Sequence, residues 1–91
     1  KKFQLKMKKV KIYTTIYCPF CVRIKNLMKK KNTSFQEIDL SINPEKFEEM
    51  LAKTNGARTV PQMFVNDTHI GDCDYVHELD NNGELDKILG I

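Results

Sequence analysis

The sequence predicts an α/β fold in which helices flank a four-stranded mixed sheet, in the order β-α-β-α-β-β-α-α. Two observations support this prediction. Short runs of β-prone residues alternate with segments whose apolar residues recur at helical spacing. The last two β-prone runs are joined by Asn66-Asp67 alone, which favours an antiparallel hairpin, whereas a helix separates the first two, which should pair in parallel through a right-handed crossover. At 91 residues the chain is long enough for one domain and not two.

The first strand leads directly into a pair of cysteines. Residues 10–14 are β-prone, and Cys18-Pro19-Phe20-Cys21 follows them after a short turn. Behind the cysteines, residues 20–28 carry apolar side chains at helical spacing, with lysines mostly on the other side. Pro19 suits the first position of this helix, because its missing N–H would have had no partner there.

The second strand and the second helix have their own signals. Residues 35–40 alternate imperfectly between polar and apolar side chains and predict a strand. Asn43 and Pro44 predict the N-cap and first position of a helix, and Asn55-Gly56 predicts its end.

The hairpin and two helices complete the chain. Residues 63–65 and 68–70 predict the two hairpin strands, and Gly71 is expected to break the second one. Asp72 can cap the third helix, and residues 85–89 predict a short final amphipathic helix.

Charge and cysteine content narrow the function classes. The net charge of +3 comes from residues 1–6, which carry three lysines and no acid; we interpret them as a basic extension or an expression remnant that precedes one domain at residues 7–91. A solvated tail explains this charge, so we predict neither nucleic-acid nor membrane binding. No apolar run approaches the ~18 residues of a membrane span, and no signal peptide is visible. Three cysteines, two of them close together, fit a reducing compartment such as the cytoplasm.

The chemistry of the cysteine pair follows from its place at a helix start. If Cys18 is the N-cap, the backbone N–H groups of Phe20 and Cys21 can point at its sulfur and, with the positive end of the helix dipole, favour the thiolate. Cysteines in such places have pKa values of roughly 3.5–7.5, against about 8.5 when free. We therefore predict Cys18 as the attacking thiol and Cys21, one turn further in and less exposed, as the resolving thiol.

Two other interpretations of the pair stay open at this point. A C-x-x-C can be half of a zinc site, but zinc takes four ligands and only Cys73, His69 and His77 remain, none of them forming a second close pair. A structural disulfide across so short a loop would constrain little of the chain. We predict no metal site and assign the two histidines no role.

The sequence resembles the glutaredoxins, within the thioredoxin-like superfamily, and looks most like small bacterial dithiol (class I) members. The resemblance covers nearly all of residues 7–91, and four motifs in this order carry it: Val10-Lys11-Ile12-Tyr13-Thr14, Cys18-Pro19-Phe20-Cys21, Thr59-Val60-Pro61-Gln62 and Ile70-Gly71-Asp72-Cys73-Asp74. It implies a thioredoxin-like (glutaredoxin) fold with a cis peptide bond before Pro61.

The resemblance also implies a glutathione-dependent thiol–disulfide oxidoreductase. Cys18 would take the glutathionyl group from a protein–glutathione mixed disulfide, and a second glutathione would release it as glutathione disulfide. Cys21 would take part in the reduction of protein disulfides. Glutathione would be a co-substrate with no cofactor bound, the protein partners would be glutathionylated or disulfide-containing, and we expect a monomer.

The resemblance assigns a glutathione-binding groove to six residues: Phe20, Thr59, Val60, Pro61, Cys73 and Asp74. Val60 would pair with the extended glutathione backbone, and Asp74 would face the ammonium of its γ-glutamyl end, whose carboxylate would bind the backbone N–H groups of Cys73 and Asp74. Family members often have a lysine where this chain has Thr15, and a glycine where it has Asp72. Arg23 is a candidate for the compensating positive charge.

Two other function classes are weighed against this one. Some glutaredoxins hold an iron–sulfur cluster between two subunits with glutathione as a ligand, but such members usually have a small residue in the place of Pro19. A reductase of the thioredoxin type is disfavoured by the absence of tryptophan before the pair. Glutathione-ligated cluster binding is therefore the alternative to the oxidoreductase.

Overall fold

The computed structural model describes residues 8–91, so the predicted extension at residues 1–6, together with Met7, lies outside the described range. Four strands form one mixed sheet in the order β2-β1-β3-β4. Strand β1 pairs in parallel with β2 and antiparallel with β3, and β3 forms an antiparallel hairpin with β4. The predicted sheet and element order are confirmed, with these bounds: β1 Val10–Thr14, β2 Gln36–Asp39, β3 Gln62–Val65 and β4 Thr68–Gly71.

Helices cover both faces of the sheet. Three of them, α1 (Pro19–Lys30), α3 (Cys73–Asn81) and α4 (Glu84–Leu89), share one apolar cluster with alternate residues of β1 and β3. The fourth, α2 (Lys46–Lys53), contributes Met50 to a second cluster on the opposite face. The two clusters follow from the alternation of side chains along a strand, which sends neighbouring residues to opposite faces. Within residues 8–91, no helix has the length and apolar character needed to cross a bilayer.

Helix α2 begins later than the sequence predicts. Pro44 was expected at the first helical position with Asn43 as its cap, but the helix begins at Lys46. The reason is a tight turn: the N–H of Lys46 donates to the carbonyl of Asn43 at 3.0 Å, and the N–H of Phe47 donates to that of Pro44 at 3.1 Å. Hydrogen bonds between residues three apart satisfy these groups before the α-helical pattern starts.

The end of β4 also differs from the prediction. Gly71 does not break the strand but is its last residue, opposite Met63, at an irregularity in the register of the hairpin. Its φ of +147° is a backbone conformation that favours glycine. The hairpin therefore extends to the residue that immediately precedes the cap of α3.

Candidate active site

The cysteine pair lies where β1 delivers the chain to the start of α1. Cys18 is the N-cap of this helix, and Pro19 occupies its first turn, as predicted. The Cys18 sulfur accepts a hydrogen bond from the backbone N–H of Cys21 at 3.1 Å, so of the two predicted donors Cys21 makes the bond. The two cysteines form a disulfide, with their Cα atoms 5.2 Å apart. A group that accepts from a helix N-terminus is stabilised when it carries negative charge.

The two sulfurs of the pair differ in exposure. Cys18 is half-buried, whereas Cys21 is only 1% exposed and packs inside the protein. A reagent or substrate from solution therefore reaches Cys18 first. Cys21 can reach a bond formed on Cys18 because it lies one helical turn away.

A groove of about 270 Å³ lies on the α3 side of the pair. All six residues that the sequence analysis assigned to substrate binding line it, and the peptide bond between Val60 and Pro61 is cis, as the resemblance implies. We call this surface the α3 groove, and its lining residues are Phe20, Thr59, Val60, Pro61, Asp72, Cys73 and Asp74.

The start of α3 forms one wall of the α3 groove. Asp72 is the N-cap, and its carboxylate accepts a hydrogen bond from the backbone N–H of Tyr75 at 2.9 Å, which confirms the predicted cap. Cys73 follows it and is 2% exposed. Burial raises the pKa of the Cys73 thiol above its usual value, although the nearby charge of Arg23 opposes this. Cys73 therefore belongs to the packed core and is a poor nucleophile.

Arg23 lies beside the α3 groove without lining it. Its guanidinium carbon is 5.7 Å from the centre of the Phe20 ring, which is within range of a cation–π contact. Phe20 is half-exposed, so the pair presents an aromatic surface with a positive charge next to it.

A second groove, of about 450 Å³, lies on the β2 side of the cysteine pair and was not predicted. Lys25 and Glu37 form an ion pair across it at 2.9 Å, and Glu37 also accepts a hydrogen bond from the hydroxyl of Thr14 at 2.7 Å. The hydrogen bond from Lys25 holds the pKa of Glu37 below its usual value. No local sequence signal marked this groove, because it depends on the packing of α1 against β2. We call it the β2 groove, lined by Thr15, Ile16, Tyr17, Cys18, Pro19, Cys21, Val22, Lys25, Glu37 and Asp39.

Gln62 contacts Thr59 of the α3 groove, and His69 contacts Gln62. Gln62 is buried at the start of β3, and its side-chain amide donates to the carbonyl of Thr59 at 3.0 Å. The amide oxygen of Gln62 is 2.7 Å from Nε2 of His69 in β4. The sequence analysis assigned neither a role, although a glutamine among the buried residues of β3 was a signal for one.

Within residues 8–91, no three His, Cys, Asp or Glu side chains are grouped so that they could hold a metal ion. No observation on this part of the chain favours the cluster-binding alternative over the oxidoreductase.

Comparisons with known proteins agree on one family. The family model for glutaredoxin matches residues 10–70. A glutaredoxin of Pseudomonas aeruginosa is 46% identical, over 91% of this chain and 98% of its own length. Glutaredoxin 3 of Escherichia coli is 47% identical, over 91% of this chain and 99% of its own length. Among solved structures, a buckwheat glutaredoxin–glutathione complex superimposes with a TM-score of 0.80 at 32% identity, over 94% of this chain and 81% of that one.

Proposed function

This chain belongs to the glutaredoxin family of thiol–disulfide oxidoreductases, and from that premise we propose that it uses glutathione to reduce protein–glutathione mixed disulfides and protein disulfides. One observation carries the proposal. The half-buried Cys18 is the N-cap of α1, and the first turn of that helix contributes Phe20 to the α3 groove, which contains the six residues assigned to glutathione. A similar glutaredoxin forms a complex with glutathione, which supports glutathione as the co-substrate of this chain.

In the proposed reaction on a mixed disulfide, the Cys18 thiolate attacks the glutathione sulfur. The bond between that sulfur and the protein substrate breaks, and the released protein thiolate takes a proton from solvent. A second glutathione thiolate then attacks the glutathione sulfur bound to Cys18, which regenerates the Cys18 thiolate and releases glutathione disulfide. The N–H of Cys21, 3.1 Å from the Cys18 sulfur, stabilises the thiolate at the start and the end of this cycle.

In the proposed reaction on a protein disulfide, Cys18 forms a mixed disulfide with the substrate and Cys21 resolves it. The Cys21 thiolate attacks the Cys18 sulfur, the second substrate thiol leaves, and the intramolecular disulfide forms. Two glutathione molecules then reduce this disulfide. The burial of Cys21 suits this role, because it keeps the second sulfur away from competing thiols in solution.

The α3 groove would hold glutathione by its backbone and its charged end. Val60 would pair with the extended backbone of glutathione, as in the addition of a strand to a sheet edge. The backbone N–H groups of Cys73 and Asp74, at the start of α3, would bind the γ-glutamyl carboxylate. The side chain of Asp74 would face the γ-glutamyl ammonium, and Arg23 would supply positive charge on the other side of Phe20.

The proposal implies a cellular compartment and an oligomeric state. Because glutathione supplies the electrons, the protein would work in a reducing compartment such as the cytoplasm. One chain contains both cysteines and the whole α3 groove, so a monomer would be sufficient for the reaction.

Glutathione-coupled assays of Cys18→Ser and Cys21→Ser test the proposal. A serine hydroxyl is not ionised at neutral pH, so we expect Cys18→Ser to lose activity on both substrate types by at least about 100-fold. Cys21→Ser should retain deglutathionylation and lose most reduction of protein disulfides. Each variant is the matched control of the other, because each exchanges one sulfur for one oxygen. Equal loss of deglutathionylation in both variants would contradict the proposed roles.

A further inference from the structure

The buried side chain of Gln62 connects β4 to the loop that precedes Pro61. Its nitrogen donates to the Thr59 carbonyl at 3.0 Å and lies 3.4 Å from the Thr59 hydroxyl. Its oxygen is 2.7 Å from Nε2 of His69. Gln62 is only 3% exposed, whereas His69 is exposed, so the network connects a buried amide to the surface of β4. The side chains of Gln62, Thr59 and His69 make and break no bonds in the proposed reactions at the cysteine pair.

The Thr59 carbonyl has a direct geometric relation to the Val60 N–H. Both belong to the peptide group that joins these two residues, and a trans peptide group is planar, with its C=O and N–H pointing in opposite directions. The residue pair whose bond is cis is Val60 and Pro61, one position further on. A hydrogen bond that fixes the Thr59 oxygen therefore also fixes the direction of the Val60 N–H.

We propose that Gln62 and His69 are positioning residues, which orient the Thr59–Val60 peptide so that the Val60 N–H points into the α3 groove and is ready to bind the glutathione backbone. This inference rests on the proposed function, since glutathione is the ligand that the N–H would serve. Gln62 acts on the peptide, and His69 acts on Gln62. A donor that is fixed before binding loses less conformational entropy when the ligand arrives.

The two ends of the Gln62 amide meet different partners, Thr59 and His69. The amide of glutamine has a donor end and an acceptor end, and the Thr59 carbonyl can only accept a hydrogen bond. With Nε2–H of His69 donating to the Gln62 oxygen, the amide nitrogen is left to face Thr59. The reversed amide would place two oxygens against each other. The ring of His69 is held in turn by Phe64, whose ring centre is 5.1 Å away.

The kinetic test replaces Gln62 by methionine, which has a similar length and volume but makes neither hydrogen bond. We expect the KM for a glutathionylated protein substrate to rise about five- to tenfold in Gln62→Met while kcat changes less than about twofold, because the lost bond positions the glutathionyl group and not the sulfur. His69→Phe keeps the stacking on Phe64, and should raise KM about two- to threefold. In the Gln62→Met background, His69→Phe should have no further effect, because it acts through Gln62.

The matched control is Asn66→Gly in the turn of the same hairpin. Asn66 accepts a hydrogen bond from the N–H of Lys9 at 2.8 Å and has a φ of +51°, which glycine tolerates. This variant removes a hydrogen bond far from the α3 groove, so it should lower thermal stability and leave the KM for the glutathionylated substrate unchanged. A merely structural role for Gln62 would give the same pattern: reduced stability with unchanged KM in Gln62→Met would overturn the proposal.

An NMR measurement on the free protein separates this inference from the proposed function. The residual dipolar coupling of the Val60 N–H reports its orientation without any ligand, and we expect it to change in Gln62→Met and in His69→Phe but not in Asn66→Gly. If the wild-type protein shows no glutathione-dependent reduction of either substrate type, the proposed function fails while the coupling still decides the inference. An unchanged coupling in both variants would overturn the positioning role. His69 is exposed, so His69→Phe provides this result even if Gln62→Met does not fold.

Discussion

At the residue scale, Gly71 determines how closely β4 approaches α3. A side chain at this position would place its Cβ atom 2.8 Å from Cδ2 of Tyr75, which is closer than a carbon–carbon contact permits. The φ of +147° adds backbone strain for any other residue. Asp72 and Cys73 follow Gly71 in the chain and line the α3 groove. The backbone conformation of Gly71 therefore sets the position of this wall of the groove.

We expect Gly71→Ala to lower the free energy of unfolding by about 3 kcal/mol, from backbone strain and from the contact with Tyr75 together. Urea denaturation measures this loss. The matched control is Gly56→Ala, because Gly56 has a φ of +94° but open space around it, so only the strain of about 1–2 kcal/mol should appear. Gly71→Ala should recover part of its loss in a Tyr75→Ala background. Equal losses at the two glycines would show that the Tyr75 contact is unimportant.

At the element scale, α2 is attached to the sheet by few groups. Met50 is its one fully buried side chain, with Phe47 partly buried beside it. A polar contact adds to this packing: the hydroxyl of Tyr13, in the central strand β1, donates to the carboxylate of Glu49. This hydrogen bond lowers the pKa of Glu49, and burial, followed by the contact with Glu49, raises the pKa of Tyr13.

We expect Tyr13→Phe to lower the free energy of unfolding by about 1 kcal/mol at pH 7, because one hydrogen bond to a charged group is lost. The folded-state pKa of Glu49 lies below its unfolded value of about 4.3, so this stabilisation is present above that pH and is lost as the pH falls through the folded-state value. Denaturation at pH 7 and at acid pH should therefore show the difference between the two proteins shrinking. Tyr17→Phe is the control, since Tyr17 is 93% exposed and its change should have no effect at either pH. A difference that persists undiminished in acid would contradict the role of Glu49.

At the scale of the whole molecule, Lys31 joins three helices on one face of the sheet. It follows α1, and its ammonium is 2.7 Å from the carboxylate of Asp80 in α3 and 2.7 Å from that of Asp86 in α4. The side chain is only 16% exposed. The hydrogen bonds that Lys31 donates to Asp80 and then to Asp86 raise the pKa of Lys31 above its usual value.

We expect Lys31→Met to lower the free energy of unfolding by about 1–2 kcal/mol, because the aliphatic stem is kept and two partly buried charge contacts are lost. The folded-state pKa of Lys31 is raised, so its stabilisation is complete below the unfolded value of about 10.4 and is lost as the pH rises through the folded-state value. Denaturation at neutral and alkaline pH should show this decline. Lys87→Met is the control, because Lys87 is 76% exposed and pairs with Glu84 on the same helix, a contact worth less than about 0.5 kcal/mol. Equal effects of the two lysines would contradict the proposed link.

The features that sequence reasoning could predict are the local ones. The caps at Cys18 and Asp72 depend on hydrogen bonds between residues three apart, so the sequence contains all the partners. The predicted start of α2 was wrong because a tight turn competes with the helix for the same backbone N–H and C=O groups. The cis bond before Pro61 was expected from the family resemblance alone, since most X–Pro bonds in proteins are trans.

The features that sequence reasoning missed depend on residues that are far apart in the chain. Lys31 and Asp86 are 55 positions apart, and neither has a local pattern that marks it as half of a pair. The contact of Gln62 with His69 requires the register of the hairpin, and the β2 groove requires the packing of α1 against the edge strand β2. Charge and polarity are visible in a sequence, but the partner of a given group is set by the tertiary fold.

The two grooves lie on different sides of β1, because the α3 groove is built on β3 and α3 whereas the β2 groove borders the opposite edge strand. Cys18 itself lines the β2 groove, and Phe20, two residues further along the chain, lines the α3 groove. If glutathione binds in the α3 groove as proposed, the β2 groove is left free for a polypeptide substrate to approach or leave Cys18.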